Sequence, residues 1–127
     1  MRKIVIILSA ALVLTGLTLY YAPMAGLPIG DYPIVELIHI WGGWFFIVTF
    51  LLYAIDHISG HRHWLRRAAP ITLSGITQSL SALVLIFSGV VLFLYGTEVW
   101  ETMRAWHHWW TYPFALALTA HFLSPKR

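Results

Sequence analysis

The sequence contains no cysteine among its 127 residues. Disulfides, thiolate zinc sites, iron–sulfur clusters and covalently attached c-type haem all need that residue, so none of them is a property of this chain. Charged residues are also scarce: they make up 10% of the sequence, against 59% hydrophobic residues. Soluble domains carry about 25% charged residues. The composition therefore indicates a membrane protein, in which seven histidines are the only plentiful strong metal ligands.

Four apolar stretches are each long enough to cross a bilayer, for which a helix needs about 20 residues. They predict helices near residues 4–22, 33–58, 71–96 and 105–123. Arg2 and Lys3 precede the first stretch as in a signal peptide, but the following Ala-Pro-Met-Ala is a poor cleavage site, so we predict an uncleaved helix. The predicted fold is all-α: residues 1–127 form a single transmembrane domain, a four-transmembrane-helix bundle.

The basic residues predict how these helices are oriented. With the N-terminus in the cytoplasm, only Arg104 lies outside, and seven of the eight basic residues are cytoplasmic. Those seven are Arg2, Lys3, Arg62, Arg66, Arg67, Lys126 and Arg127. Both termini are then cytoplasmic in a multi-pass membrane protein. Because the net charge of +3 follows from this topology, it predicts no nucleic-acid partner.

Two histidines share a face on each of the second and fourth predicted helices. His39 and His57 are 18 residues apart, which is five full helical turns, and His107 and His121 are 14 apart, about 40° short of four turns. His39 and His107, the outer pair, lie toward the outer leaflet, and His57 and His121, the inner pair, toward the inner leaflet. A histidine in hydrocarbon is costly, which makes each a candidate for function.

Two facing helices with histidines at matching depths form two bis-histidine sites. A b-type haem needs two axial imidazoles and no covalent bond to the protein. The outer and inner pairs therefore predict two non-covalent b-type haems, and iron is the metal that the four histidines bind. Arg62 on the cytoplasmic side and Arg104 on the outer side are predicted to pair with haem propionates.

Two further histidines are alternatives as ligands. His61 is a reserve ligand if the second helix extends past Gly60. His108 is the alternative to His107, because Pro113 lies inside the fourth predicted helix and leaves the helical phase before it open. The sequence does not decide between His107 and His108.

Glycines accompany the predicted sites. Gly42 and Gly43 follow His39 by three and four residues and so lie beside it, where a bare backbone lets a flat ring approach. On the third helix, Gly75 and Gly89 are 14 residues apart, at depths that match the two histidine layers. These four glycines predict room for two macrocycles. The alternative is close packing of membrane helices through small residues, which needs no cofactor.

The histidine-bearing segments resemble the small membrane cytochrome b superfamily. That group includes the cytochrome b subunits of formate dehydrogenases and nickel–iron hydrogenases, and compact bacterial di-haem cytochromes b. The resemblance covers the whole chain and rests on the segments HIWGG, AIDHISGH and WHHWWTYPFALALTAH. The 14-residue spacing of His107 and His121 is typical of the family's last helix. Longer members often divide the other two ligands between the first two helices, whereas here both fall on the second.

The resemblance implies a di-haem subunit that carries electrons across the membrane between a quinone pool and a periplasmic redox partner, such as a cytochrome c or an iron–sulfur protein. Such a subunit belongs to a respiratory complex and does no bond chemistry itself. The alternatives are a pigment-binding accessory protein, a cofactor-free scaffold subunit and a transition-metal transporter. Chlorophyll usually takes one axial ligand, and a transporter is expected to carry more carboxylates in the membrane.

Overall fold

The structure is a computed structural model that describes residues 2–27, 33–61, 70–96 and 100–123. Almost all of these residues are helical, and no strand occurs within those ranges. The four helices are α1 (Arg2–Tyr21), α2 (Pro33–His61), α3 (Pro70–Tyr95) and α4 (Trp100–Leu123). The prediction of an all-α fold with four helices is confirmed.

All four helices extend beyond their predicted ranges at one end, by one or two residues in α1 and α3 and by more in α2 and α4. Helix α4 begins at Trp100, and Glu101 lies in its first turn, where the helix dipole favours a carboxylate. Helix α2 continues through Gly60 to His61. The hydropathy pattern indicates where the chain becomes apolar, whereas helical hydrogen bonding continues into polar residues. The predicted ranges of α2 and α4 are therefore shorter than the observed helices.

Three of the four helices are long and apolar enough to cross a membrane, when the described residues are searched. These spans are Arg2–Tyr21, Pro33–Gly60 and Thr72–Tyr95. Helix α4 has 24 residues, which is sufficient length, but its histidines, Glu101 and Arg104 make it more polar than the other three. The structure therefore supports three candidate spans, and the crossing by α4 stays a prediction.

By its contacts the chain divides into two compact units, of which the first is Met1–Asp56. It contains α1 and most of α2. The Leu12 side chain lies near Gly42, and the Thr15 hydroxyl lies near His39. Because a later position on α1 meets an earlier one on α2, the two helices are antiparallel. The single domain over residues 1–127 stays a prediction.

The second unit, His57–Arg127, contains the end of α2 together with α3 and α4. Helices α3 and α4 are antiparallel, because Ser88 contacts His107 and Ser74 contacts His121. Pro113 lies inside α4 without ending it. Since His107 and His121 both contact α3, the face that they share is maintained across the proline.

Candidate functional site

The imidazole of His39 lies against α1. Its Nδ1 is 2.9 Å from the hydroxyl oxygen of Thr15. Its Cε1 is 2.9 Å from the position that a Cβ atom on Gly16 would occupy. Carbon atoms in contact are normally about 3.5–4.0 Å apart, so a side chain at position 16 would displace the ring. Helix α1 thus holds the imidazole on a hydroxyl and an adjacent bare glycine, an arrangement that we call a hydroxyl–glycine seat.

His107 is held in the same way by α3. Its Nδ1 is 2.9 Å from the hydroxyl oxygen of Ser88, a residue with no exposed surface. Its Cε1 is 3.2 Å from the position of a Cβ atom on Gly89. The hydroxyl and the glycine are again consecutive in sequence. The second seat therefore repeats the first in a different pair of helices.

His121 occupies the third seat, which lies on α3 about four helical turns from the second. Its Nδ1 is 3.3 Å from the hydroxyl oxygen of Ser74, and its Cε1 is 3.4 Å from the position of a Cβ atom on Gly75. The two seats on α3 are 14 residues apart, as are the two histidines on α4. The antiparallel register of this helix pair therefore presents both histidines to equivalent positions.

These contacts show what lies beside each predicted glycine. The imidazoles of His121 and His107 lie against Gly75 and Gly89, because the bare stripe of α3 faces α4, and the room predicted there for macrocycles stays a prediction. A Cβ atom on Gly42 would lie 3.3 Å from the Leu12 side chain, which indicates packing against α1. Among the described atoms nothing lies within 4 Å of a Cβ atom on Gly43. Of the four, Gly43 alone adjoins open space in the described structure.

The hydrogen bonds of the seats favour a proton on Nδ1 in two imidazoles, and the Leu12 backbone is a further hydrogen-bond partner of His39. The Thr15 hydroxyl oxygen is 2.8 Å from the Ala11 carbonyl oxygen as well as 2.9 Å from His39 Nδ1. A hydroxyl has one proton to donate. If the hydroxyl donates to the carbonyl and the imidazole Nδ1–H donates to the hydroxyl, both contacts are hydrogen bonds. The reverse would leave two acceptor oxygens 2.8 Å apart without a proton between them.

The same argument applies to His107. The Ser88 hydroxyl oxygen is 2.8 Å from the Val84 carbonyl oxygen and 2.9 Å from His107 Nδ1. In both imidazoles Nε2 then carries the lone pair. A metal-binding histidine needs this state, in which one ring nitrogen donates to a fixed acceptor and the other can coordinate.

The inner pair is brought together in the second unit. The ring centroids of His57 and His121 are 6.1 Å apart, with 78° between the ring planes. Imidazole–metal bonds of about 2 Å on opposite sides of one metal place two ring centroids about 6 Å apart, and each ring can rotate about its bond. Directly packed aromatic rings also reach this distance. The donor set and its spacing fit an iron with two axial imidazoles.

The other predicted ligands have different surroundings. His108 is 7% exposed, and its Nε2 is 3.0 Å from the hydroxyl of Tyr112 on the same helix. The hydroxyl–glycine seat on α3 is therefore occupied by His107 and not by His108. The Arg104 guanidinium lies 5.9 Å from the centre of the Trp100 ring. The predictions made for Arg62 and for the side chain of His61 lie outside the described residues.

Four residues of the seats were missed in the sequence: Thr15, Gly16, Ser74 and Ser88. The signal that could have found them is the dipeptide Ser-Gly or Thr-Gly, which occurs at 15–16, 59–60, 74–75 and 88–89. Its two copies on the third helix have the 14-residue spacing of the histidines on the fourth. The dipeptide alone does not identify a seat, because a Cβ atom on Gly60 would meet nothing within 4 Å among the described atoms.

No protein-family model, curated protein or solved structure matches the chain. The resemblance to the cytochrome b superfamily therefore rests on the sequence segments quoted above. Within the described ranges, no three residues of His, Cys, Asp and Glu come together as a metal site. A b-type haem takes only two protein ligands, so this finding does not bear on the bis-histidine pairs.

Proposed function

We propose that this protein is a di-haem b-type cytochrome subunit that carries electrons across a membrane. The observation that carries the proposal is the approach of His57 and His121, whose ring centroids are 6.1 Å apart. These residues lie on different helices, and they were paired beforehand from helical phase and depth alone. The seats of His39, His107 and His121 add a second line of support, because three of the four predicted ligands share one local geometry.

A bis-imidazole haem supplies one-electron exchange between ferric and ferrous iron. The chain's own residues hold the imidazoles and set their depth. On α4, the 14 residues between His107 and His121 correspond to a rise of about 21 Å, most of a hydrocarbon core of about 30 Å. Ligands at two such levels suit a transmembrane electron path. His57 and His121 form the inner site, and the pairing of His39 with His107 stays a prediction from the sequence.

The two ends of this path rest on the resemblance alone. It suggests a quinone pool on one side and a periplasmic cytochrome c or iron–sulfur protein on the other. The chain would then be one subunit of a respiratory complex in a bacterial inner membrane, with bond chemistry left to its partners. Large apolar side chains that are more than half exposed, among them Ile7, Trp41 and Phe87, are compatible with lipid or such subunits as neighbours.

The first test is the cofactor content of the purified protein. We expect a pyridine haemochrome assay to give two b-type haems per chain, and the reduced-minus-oxidised spectrum to show sharp α and β bands of low-spin iron. A ratio near one haem per chain would mean that only one of the two predicted sites binds haem, and the outer pair would be the first to be rejected. A chlorophyll-type spectrum would favour a pigment-binding protein, and a colourless protein would favour a scaffold subunit.

The second test concerns orientation and the crossing by α3. The chain has no cysteine, so single cysteines can be labelled without background. We expect an impermeant thiol reagent added outside spheroplasts to label Glu101→Cys. It should not label Arg66→Cys, a position outside the described residues, until the membrane is opened. The opposite result would invert the topology, and equal labelling of both would contradict a crossing between them.

A further inference from the structure

We infer that the Thr15 and Ser88 hydroxyls are positioning residues that fix the metal-binding tautomer of His39 and His107, each within its own helix pair, and lower the reduction potential of the haem iron that each imidazole ligates. This inference rests on the proposed function. It concerns the atoms behind each ligand rather than the ligands themselves. In both seats one hydroxyl lies between an imidazole nitrogen and a backbone carbonyl of the neighbouring helix.

The two bonds of each hydroxyl form a short relay. His107 Nδ1–H donates to Ser88 over 2.9 Å, and Ser88 donates to the Val84 carbonyl over 2.8 Å. Consecutive hydrogen bonds polarise each other and become stronger. A stronger acceptor at Nδ1 makes Nε2 more basic. A more basic axial ligand stabilises ferric iron relative to ferrous iron and therefore lowers the potential.

The third seat is weaker, which allows a comparison within one helix pair. Ser74 lies 3.3 Å from His121 Nδ1, beyond the usual hydrogen-bond length of about 2.9–3.0 Å. Its hydroxyl should therefore change the basicity of His121 less than Ser88 changes that of His107. Removal of the Ser74 hydroxyl is expected to shift the potential less than removal of the Ser88 hydroxyl.

Ser81 offers a matched control. It is seven residues from both Ser74 and Ser88, so the three serines lie on one face of α3. It has no exposed surface, and its hydroxyl has no hydrogen-bond partner among the described residues. Ser81→Ala thus removes the same atom from the same buried face without removing a bond to a histidine.

The experiment is a spectroscopic redox titration of the full chain in lipid nanodiscs. We expect Ser88→Ala to raise the midpoint potential of the component that His107 ligates, and Thr15→Val to raise that of the component that His39 ligates. Ser74→Ala should raise that of the component that His121 ligates by less, and Ser81→Ala should shift none of them. Ser88→Thr, which keeps the hydroxyl, should restore the low potential. Equal potentials in Ser88→Ala and Ser81→Ala, with two haems still bound, would overturn this inference and leave the proposed function standing.

A second measurement does not depend on the haem. Histidine ¹⁵N resonances, recorded with the iron reduced and low-spin or without haem if none is bound, report which ring nitrogen carries the proton. We expect Nδ1–H in His39 and His107, with the His107 signal changed by Ser88→Ala and not by Ser81→Ala. A His107 Nδ1–H signal that responds equally to Ser88→Ala and Ser81→Ala would overturn the inference, as would an Nε2–H tautomer in protein that holds no haem. Absence of haem contradicts the proposed function instead.

Discussion

Replacement of His121 by alanine is expected to halve the haem content, from two haems per chain to one. In the proposed function His121 supplies one of the two imidazoles of the inner site, and a single remaining ligand, His57, would not retain a low-spin haem through purification. The spectrum of the remaining haem should be nearly unchanged, because its ligand on α4, His107, lies about 21 Å away along the helix. Haem content per folded protein and the low-spin EPR signals measure both effects.

His108→Ala is the matched control for that variant. This histidine is on the same helix and is buried, but its Nε2 is bonded to Tyr112. The variant loses that hydrogen bond, which costs about 1–3 kcal/mol of stability, and should keep both haems. If His121→Ala binds two haems, the contact between His57 and His121 is aromatic packing. If His108→Ala loses a haem, the outer ligand on α4 is His108 and not His107.

The helices and the inner pair could be predicted because both depend on local geometry. Helical phase is fixed by the backbone, so 18 residues on α2 and 14 on α4 determine which histidines share a face. Depth follows from the order of the helices and their length. These two quantities were sufficient to choose His57 and His121 as partners, without knowledge of any contact between the helices.

The seats could not be predicted in the same way, because they depend on the register between neighbouring helices. Periodicity within α1 places Thr15 and Gly16 on a face but does not say which residue of α2 they meet. Side-chain packing decides that, and a shift of one turn would place a different residue opposite His39. The Ser-Gly or Thr-Gly dipeptide repeats in the sequence. It identifies a histidine contact only when the antiparallel register of the two helices is known.

The side chains that lie beside the glycines of α3 could not be predicted, for a related reason. The 14-residue spacing of Gly75 and Gly89 correctly placed two bare positions at two depths. It did not say whether a cofactor or a side chain fills each position. Because an imidazole projects between two closely packed helices, its edge takes the space nearest the backbone. A macrocycle would then lie at the far end of the ring, on the side of Nε2.

Gly16→Ala is expected to disturb the haem that His39 binds while it stabilises α1 itself. Alanine favours a helix interior over glycine by about 1 kcal/mol, so the intrinsic stability of helix α1 should increase. The new methyl group would lie 2.9 Å from His39 Cε1, closer than real contacts of about 3.5–4.0 Å. The imidazole must move off its seat, and haem content or the EPR g-values of one component should change.

Glycine-to-alanine variants at the three seats should disturb the bound haem to different degrees. This gradation distinguishes a clash with the imidazole from a general effect of alanine in a helix. The distances from the added Cβ atom to the imidazole Cε1 are 2.9 Å at Gly16, 3.2 Å at Gly89 and 3.4 Å at Gly75. The disturbance should decrease in that order and be small at Gly75, where the contact is of ordinary length. Gly60→Ala, whose Cβ atom meets nothing within 4 Å among the described atoms, should leave both haems unaltered. If Gly16→Ala matches Gly60→Ala in haem content and spectrum, the glycine beside His39 serves helix packing alone.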